Sequence, residues 1–269
     1  MPLTKTLPRI SFTPVGEVGP RVLLIMGFGM GGSVWRPQIE GLRATHRLVS
    51  YDHLGLGSSD PPPSPPTMRT MAADAERVLD ALGWSSAHVV GVSMGGMIAQ
   101  ELTLTAPPRV RSLTLIATHA GGLRAALPRA EGLRRFIEAN VGDRAARVAA
   151  LKRLLYTAEF LASEGAEQLD RRIDEMAGRR APPATVTGHL HAVLRHRTRR
   201  RLGSIGVPTL IVRPGRDVLV HPRNSDVLAK GIPSARLVRF DDAGHGVTFQ
   251  CAGALNAEIA RHIAAAGEV

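Results

Sequence analysis

Short apolar runs alternate along much of the chain with segments whose apolar residues keep helical spacing. Continuous runs of this kind are typical of strands that are buried on both faces of a parallel sheet. Between them, Met71, Ala75, Val78 and Leu79 recur at the spacing of an amphipathic helix. We predict buried strands in residues 21–26, 48–51, 109–117, 208–212 and 236–240 and in the run from Ala87 that precedes Gly91, with an edge strand in 9–15. Strands that alternate with helices at short intervals predict an α/β fold with a doubly wound, mostly parallel sheet.

The alternation of strands and helices stops at about Gly121 and returns at Pro208. In between, only helical patterns occur, such as the spacing of Leu151, Leu154 and Leu155. We therefore predict an inserted helical cap over residues 121–201, with residues 1–120 and 202–269 forming the core. The cap has few apolar stripes of its own, so we expect it to pack against the core.

The segment from Ala87 to Gln100 predicts a strand, a sharp turn and a helix, with Ser93 at the turn. Gly91 and Gly95 flank the serine as G-x-S-x-G, because so tight a turn leaves no room for side chains at those positions. The amides of the following helix stabilise negative charge that forms beside the hydroxyl. Ser93 is therefore a candidate nucleophile, although this pattern alone also suits an ordinary strand–helix junction.

A serine hydroxyl becomes a good nucleophile when a base accepts its proton and an acid orients that base. His245 stands between two glycines after the last predicted strand, and we take it as the candidate base. Asp217 also follows a strand, which makes it the candidate acid. Asp241 and Asp242 are rivals, but they lie too near His245 in the sequence to turn back easily onto its ring.

Acyl transfer also requires hydrogen-bond donors for the oxyanion of the intermediate. The backbone amide of Met94, at the start of the predicted helix, is one candidate. The amide of Phe28, in the glycine-rich loop after residues 21–26, is the second. Candidate residues for an apolar substrate pocket are Trp35, Met97, His119, Phe136, Tyr156, Leu219 and Val247, for each of which core packing is an equal explanation.

Composition limits the classes of partner. The net charge of +11 over 269 residues raises the question of nucleic-acid binding. Most of the arginines are scattered, however, and the densest basic cluster, residues 195–201, has no interleaved aromatic residues. We expect a solvated basic face and a small-molecule substrate rather than nucleic acid.

The single cysteine, Cys251, excludes an internal disulfide and any zinc cluster built from cysteines. No run of eighteen apolar residues is present, and the N-terminal segment lacks the apolar stretch of a signal peptide. We therefore expect no membrane segment and a cytoplasmic location. The sequence gives no indication of the oligomeric state.

Five segments carry a resemblance to the α/β-hydrolase superfamily: MGFGMGGSVW, YDHLGLGSSDPP, GVSMGG, GRDVLVHP and DDAGHG. The order Ser, Asp, His is that of the superfamily, and the chain is most similar to its capped carboxylesterase, enol-lactonase and methylesterase branch. Two positions depart from the pattern: Met26 stands where many members have His, and His53 where many have Arg. These departures concern loop hydrogen bonding and substrate preference.

The resemblance implies a serine hydrolase that cleaves an ester or lactone of a small to medium apolar substrate through an acyl-enzyme. It implies no metal and no organic cofactor. Three alternatives share the same residues: a cofactor-free haloperoxidase or perhydrolase, a hydrolase of C–C bonds, and a non-catalytic ligand receptor. A serine at the nucleophile position argues against a haloalkane dehalogenase, which uses aspartate.

Overall fold

The computed structural model of the chain describes residues 1–122, 125–163, 169–173, 176 and 180–267. The described residues include a seven-stranded sheet in the order β1-β3-β2-β4-β5-β6-β7. Its strands are β1 (Phe12–Val15), β2 (Arg21–Ile25), β3 (Arg47–Tyr51), β4 (Ala87–Val92), β5 (Val110–Ile116), β6 (Thr209–Pro214) and β7 (Ala235–Phe240). Only β1 pairs antiparallel, with β3, and the other pairs are parallel. The fold is therefore of the α/β class with a mostly parallel sheet, as predicted.

The central strands are buried on both faces because helices cover the sheet from each side. Along β4 every residue is buried, and successive side chains join opposite hydrophobic clusters: Val89 packs in one and Val90 in the other. In the same way Leu23 and Leu24 of β2 divide between the two clusters. This two-sided burial explains why these strands appear in the sequence as continuous apolar runs.

Helices lie on both faces of the sheet and in the long connection between β5 and β6. They are α1 (Arg36–Leu42), α2 (Met68–Ala81), α3 (Met94–Thr105), α4 (Ala130–Val141), α5 (Arg144–Leu155), α6 (Ala158–Leu161), α7 (Pro183–Arg195), α8 (Arg223–Gly231), α9 (Val247–Gln250) and α10 (Ala252–Ala265). Helices α2 and α3 contact each other on one face, while α1 and α10 contact each other on the opposite face. Thr67 caps α2, since its hydroxyl accepts the backbone N–H of Thr70 at 3.1 Å.

Between β5 and β6, the described residues form helices and turns, apart from one isolated bridge between Gly121 and Arg197. These helices build a third, smaller hydrophobic cluster that includes Leu151 and Tyr156. The Tyr156 ring lies 5.9 Å from that of Phe249, which belongs to the sheet-covering part of the chain. The segment thus packs against the core; its division from the core at residues 121 and 201 stays a prediction.

The basic cluster at residues 195–201 contains a well-defined ion pair. Arg201 binds the carboxylate of Glu101 through two nitrogen–oxygen contacts of 3.0 and 2.5 Å, and Glu101 is buried. Arg201 of this cluster therefore attaches the segment between β5 and β6 to α3. None of the helices in the described part of the chain is long and apolar enough to span a bilayer.

Candidate active site

The turn between β4 and α3 holds Ser93 in a strained backbone conformation. Its φ and ψ are 56° and −122°, a region that residues with a side chain rarely adopt. The flanking glycines are required by close packing: a Cβ on Gly91 would lie 2.4 Å from the carbonyl oxygen of Gly95, and one on Gly95 would lie 2.0 Å from that of Ile25. The sequence thus forces the serine onto the tip of the turn, at the N-terminus of α3.

The loop after β7 places His245 against Asp217, which lies in the loop after β6. Nδ1 of His245 donates to Oδ2 of Asp217 over 2.7 Å. The second carboxylate oxygen accepts the backbone N–H groups of Leu219 and Val220, both at 2.8 Å. Asp217 is fully buried, so these bonds hold its side chain in place. With its proton on Nδ1, the imidazole leaves Nε2 free as a proton acceptor.

The rival carboxylates lie elsewhere. Both Asp241 and Asp242 are exposed, and the side chain of Asp242 forms an ion pair with Arg216 at 3.0 Å. The structure therefore brings Asp217, and not Asp242, to the ring of His245, as the sequence argument expects.

Ser93 and His245 line the same cavity. The volume of this cavity is about 120 Å³, several times the space that one buried water requires. The described lining residues are mostly apolar, and they include the loop that carries Phe28. An apolar cavity with a few polar groups in its wall is the usual form of a small-molecule site.

The two candidate oxyanion donors belong to the residue after Ser93 and to the loop that packs against it. Met94 is the first residue of α3, so its N–H has no acceptor within the helix. A Cβ on Gly27 would lie 3.2 Å from Cβ of Ser93, which places the loop of Phe28 against the serine. Within the described chain, the N–H of Phe28 also has no hydrogen-bond acceptor. Both amides are thus available to a ligand atom.

Two buried histidines hold the loop that carries Phe28. Nε2 of His53 donates to the carbonyl oxygen of Met26 over 2.9 Å, so the two positions that depart from the family pattern bind each other. From α7, Nδ1 of His189 accepts the N–H of Gly29 at 3.3 Å. Burial lowers the pKa of His53 and lowers the pKa of His189 to about 3. Of the two bonds, only that of His189 requires a neutral ring, because its Nδ1 accepts a hydrogen bond.

Three of the predicted pocket residues line the cavity: Phe136, Tyr156 and Leu219. The ring of Phe136 meets that of Phe28 edge to face, with 5.0 Å between the ring centres. Tyr156 is buried, and this burial raises the pKa of its hydroxyl. Aromatic rings from the connection therefore form part of the wall opposite the serine turn.

The other four predicted pocket residues are not among the lining residues, which corrects that part of the prediction. Trp35 and Val247 are fully buried in the cluster between the sheet and α1 and α10, while Met97 is buried on the opposite face. The Nδ1 atom of His119 accepts the N–H of Gly121 at 3.0 Å. For these residues the explanation by packing and local hydrogen bonding is the correct one.

Sequence reasoning missed three arginines that line the cavity: Arg147, Arg172 and Arg180. One signal was present in α5. Arg147 precedes Leu151 by four residues and Leu154 by seven, so all three share one helical face. In the structure all three line the cavity, so this stripe does not face a closed core.

No group of three or more His, Cys, Asp or Glu side chains in the described residues is arranged to hold a metal ion. The polar side chains that line the cavity are those of Ser93, His245, Asn140, Tyr156, Thr248 and the three arginines.

The sequence of the chain is similar to a known family of proteins. The family model described as alpha/beta hydrolase fold matches residues 20–250. A protein of Azorhizobium caulinodans that bears the provisional name carbamate hydrolase RutD is 38% identical over 233 residues, which span 84% of each chain.

Solved structures are similar over nearly the whole chain. A hydrolase from Pseudomonas aeruginosa PA01 has a TM-score of 0.83 at 26% identity, with 97% of each chain covered. The enol-lactonase from Burkholderia xenovorans LB400 has a TM-score of 0.85 at 23% identity and covers 98% of this chain and 100% of its own. At 23% identity, the similarity to the enol-lactonase supports the fold alone.

Proposed function

The chain belongs to the α/β-hydrolase fold family and is an enzyme of that fold; on this premise we propose that it is a serine hydrolase of carboxylic esters or lactones. Its substrates are small to medium molecules with an apolar part. The observation that carries the proposal is the 2.7 Å bond from His245 to the buried Asp217, at a cavity that Ser93 also lines.

In the first half of the reaction, Oγ of Ser93 attacks the carbonyl carbon while its proton passes to Nε2 of His245. The carbonyl oxygen gains a negative charge, which the N–H groups of Phe28 and Met94 stabilise. When this intermediate collapses, the bond to the alcohol breaks and His245 gives its proton to the leaving oxygen. The product is an acyl group on Ser93.

In the second half, His245 accepts a proton from water, and the resulting nucleophile attacks the acyl-enzyme. Collapse of this second intermediate returns the proton to Oγ of Ser93 and releases the acid. Asp217 keeps the imidazole in one tautomer and stabilises its positive form throughout. Residues 121–201 act as a cap that determines substrate preference. The expected location of the protein is the cytoplasm.

Carbamate hydrolysis is a second candidate, favoured by the 38% identity to the Azorhizobium caulinodans protein named for that activity. A carbamate carbonyl accepts the same attack by Ser93, and the same two amides would hold its oxyanion. The two candidates differ in the group that flanks the carbonyl, which an activity panel distinguishes.

The test is a panel of 4-nitrophenyl esters of graded acyl length, together with lactones, thioesters and a 4-nitrophenyl carbamate. We expect turnover of at least one carbonyl class, and the Ser93→Ala variant is expected to lose about 10⁶-fold of it. An alanine variant with wild-type turnover would overturn the proposal. Failure of the wild-type protein on every substrate would instead favour C–C bond cleavage or peroxide-dependent halogenation.

A further inference from the structure

Three arginines line the same cavity as Ser93, and they come from separate parts of the connection between β5 and β6. Arg147 is in α5, Arg172 is in the helical stretch at residues 169–173, and Arg180 precedes α7. The described lining residues include no Asp or Glu. The cavity wall therefore has positive charge and, in its described part, no carboxylate.

The hydrogen bonds of these arginines leave much of their donor capacity unused. Each guanidinium binds a backbone carbonyl: Nε of Arg147 donates to Ala139 at 3.1 Å, Nη2 of Arg172 to Val34 at 2.8 Å, and Nη2 of Arg180 to Asn140 at 3.0 Å. Arg172 also interacts with the hydroxyl of Tyr156. A guanidinium has five N–H donors, so these bonds orient the side chains and leave donors for a ligand.

None of the three arginines forms an ion pair with a carboxylate of the described residues. Arginines elsewhere do: Arg201 pairs with the buried Glu101, and Arg213 pairs with Asp226 at 3.1 Å. The contrast matters for Arg147 and Arg172, which are half-buried, because a charge partly removed from water without a counterion is costly. At this cavity, no carboxylate of the described residues serves as a counterion for the three arginines.

Two further observations describe the surroundings of these charges. The guanidinium of Arg172 lies over the ring of Phe249, 4.8 Å from its centre, a cation–π contact that partly compensates the charge. Its Nε is buried without an acceptor among the described residues, as is the Nε of several other arginines, Arg213 included. Burial, followed by the nearby positive charge of Arg180, lowers the pKa of Arg147. An anion between these side chains would relieve both the unsatisfied donor and the repulsion.

We propose that Arg147, Arg172 and Arg180 form a carboxylate-binding subsite, and that the substrate is an ester or lactone with a second, remote carboxylate. A half-ester of a dicarboxylic acid is the simplest member of this class. Guanidinium groups match the planar carboxylate with paired hydrogen bonds, and the apolar wall suits the methylene chain between the two ends. This inference rests on the proposed function, because it assigns the reacting carbonyl to Ser93.

The test compares mono-4-nitrophenyl adipate with its neutral methyl ester, which has the same chain and leaving group. We expect kcat/KM to be at least about tenfold higher for the anion, as charged hydrogen bonds of this kind contribute to binding. In the R147Q/R172Q variant the ratio is expected to fall toward one. R180Q alters an exposed side chain, which a fold tolerates, and gives a smaller fall in the same direction.

R153Q is the matched control, because Arg153 lies exposed on α5 and is not a lining residue. Like R147Q, it removes one positive charge from α5, but outside the cavity, so the ratio is expected to stay at its wild-type value. An equal fall in R153Q would assign the preference to the general charge of the helix and overturn the subsite.

Titration calorimetry with adipate and with neutral 1,6-hexanediol tests the subsite without turnover. Adipate is expected to bind the wild-type protein and R153Q, and to bind R147Q/R172Q at least about tenfold more weakly. Adipate binding by a protein that hydrolyses neither ester would support the subsite and contradict the proposed function. Ser93-dependent hydrolysis with no preference for the anion, and no adipate binding, would contradict the subsite and leave the function standing.

Discussion

The loops at the carboxyl edge of the sheet and the helices between β5 and β6 both face the cavity, but different features of the sequence determine them. Around Ser93, glycines are required by backbone atoms only 2.0 to 2.4 Å from any added Cβ. In the connection, the cavity wall consists of side chains such as Phe136, Tyr156 and Arg147 on helix faces.

The turns around Ser93 hold the groups that make and break bonds, whereas the helix faces between β5 and β6 determine which substrate is recognised. A backbone that allows only one residue type leaves a short motif that can be recognised in a sequence, and the bond-making groups depend on such turns. A helix face can change its side chains without changing its backbone, so substrate preference leaves no comparable motif. The expectation is that substitutions in the first region abolish the reaction, whereas those in the second redirect it.

The largest effect after loss of Ser93 is expected from Asp217→Asn. An amide cannot hold the imidazole of His245 in the required tautomer, and kcat is expected to fall by about 10⁴. Steady-state kinetics on the best ester of the panel measure this. Asp242→Asn is the control, since Asp242 is exposed and pairs with Arg216. Equal losses in the two variants would show that the acid has been misassigned.

Gly95→Ala tests the claim that the backbone determines the serine turn. The new Cβ would lie 2.0 Å from the carbonyl oxygen of Ile25, so we expect the free energy of unfolding to fall by about 1–3 kcal/mol. Denaturation by urea, monitored by circular dichroism, gives this value.

Gly253→Ala is the matched control for that substitution. It lies in α10, where an added Cβ meets nothing within 4 Å, and alanine there is expected to stabilise the protein by up to about 1 kcal/mol. If Gly95→Ala left both stability and activity at their wild-type values, the turn would not be constrained as described.

His189→Asn tests the contact between the two regions. The pKa of His189 is lowered to about 3 from an ordinary value of 6.5, so the unfolded chain binds a proton that the folded protein does not. The resulting stability is complete above pH 6.5 and is lost as the pH falls toward 3.

Between pH 7.5 and 5 this single histidine is expected to remove about 2 kcal/mol from the free energy of unfolding. Over the same pH range, the free energy of unfolding of the asparagine variant should therefore fall by about 2 kcal/mol less than that of the wild-type protein. The amide oxygen of the asparagine can still accept the N–H of Gly29. His191→Asn, at an exposed position of the same helix, gives the reference slope. Identical pH dependence in both variants would contradict the buried, neutral His189.

The sequence was sufficient for the sheet because each central strand is buried on both faces, which forces a continuous apolar run. It was also sufficient to propose Ser93, Asp217 and His245, since each follows a strand and the parallel strands end at one edge. It did not separate pocket from core: Trp35 and Phe136 are both aromatic, but Trp35 is buried in the core cluster, whereas Phe136 of α4 lines the cavity. The bond between His53 and Met26 joins residues 27 positions apart, which no local pattern indicates.

The most direct measurement is the mass of the protein after reaction with a fluorophosphonate, which modifies an activated serine covalently. The account predicts one adduct per chain, located by peptide mapping on the peptide that contains Ser93, and no adduct in the Ser93→Ala variant. An adduct on another residue, or equal labelling of the alanine variant, would contradict the assignment of Ser93 as the nucleophile.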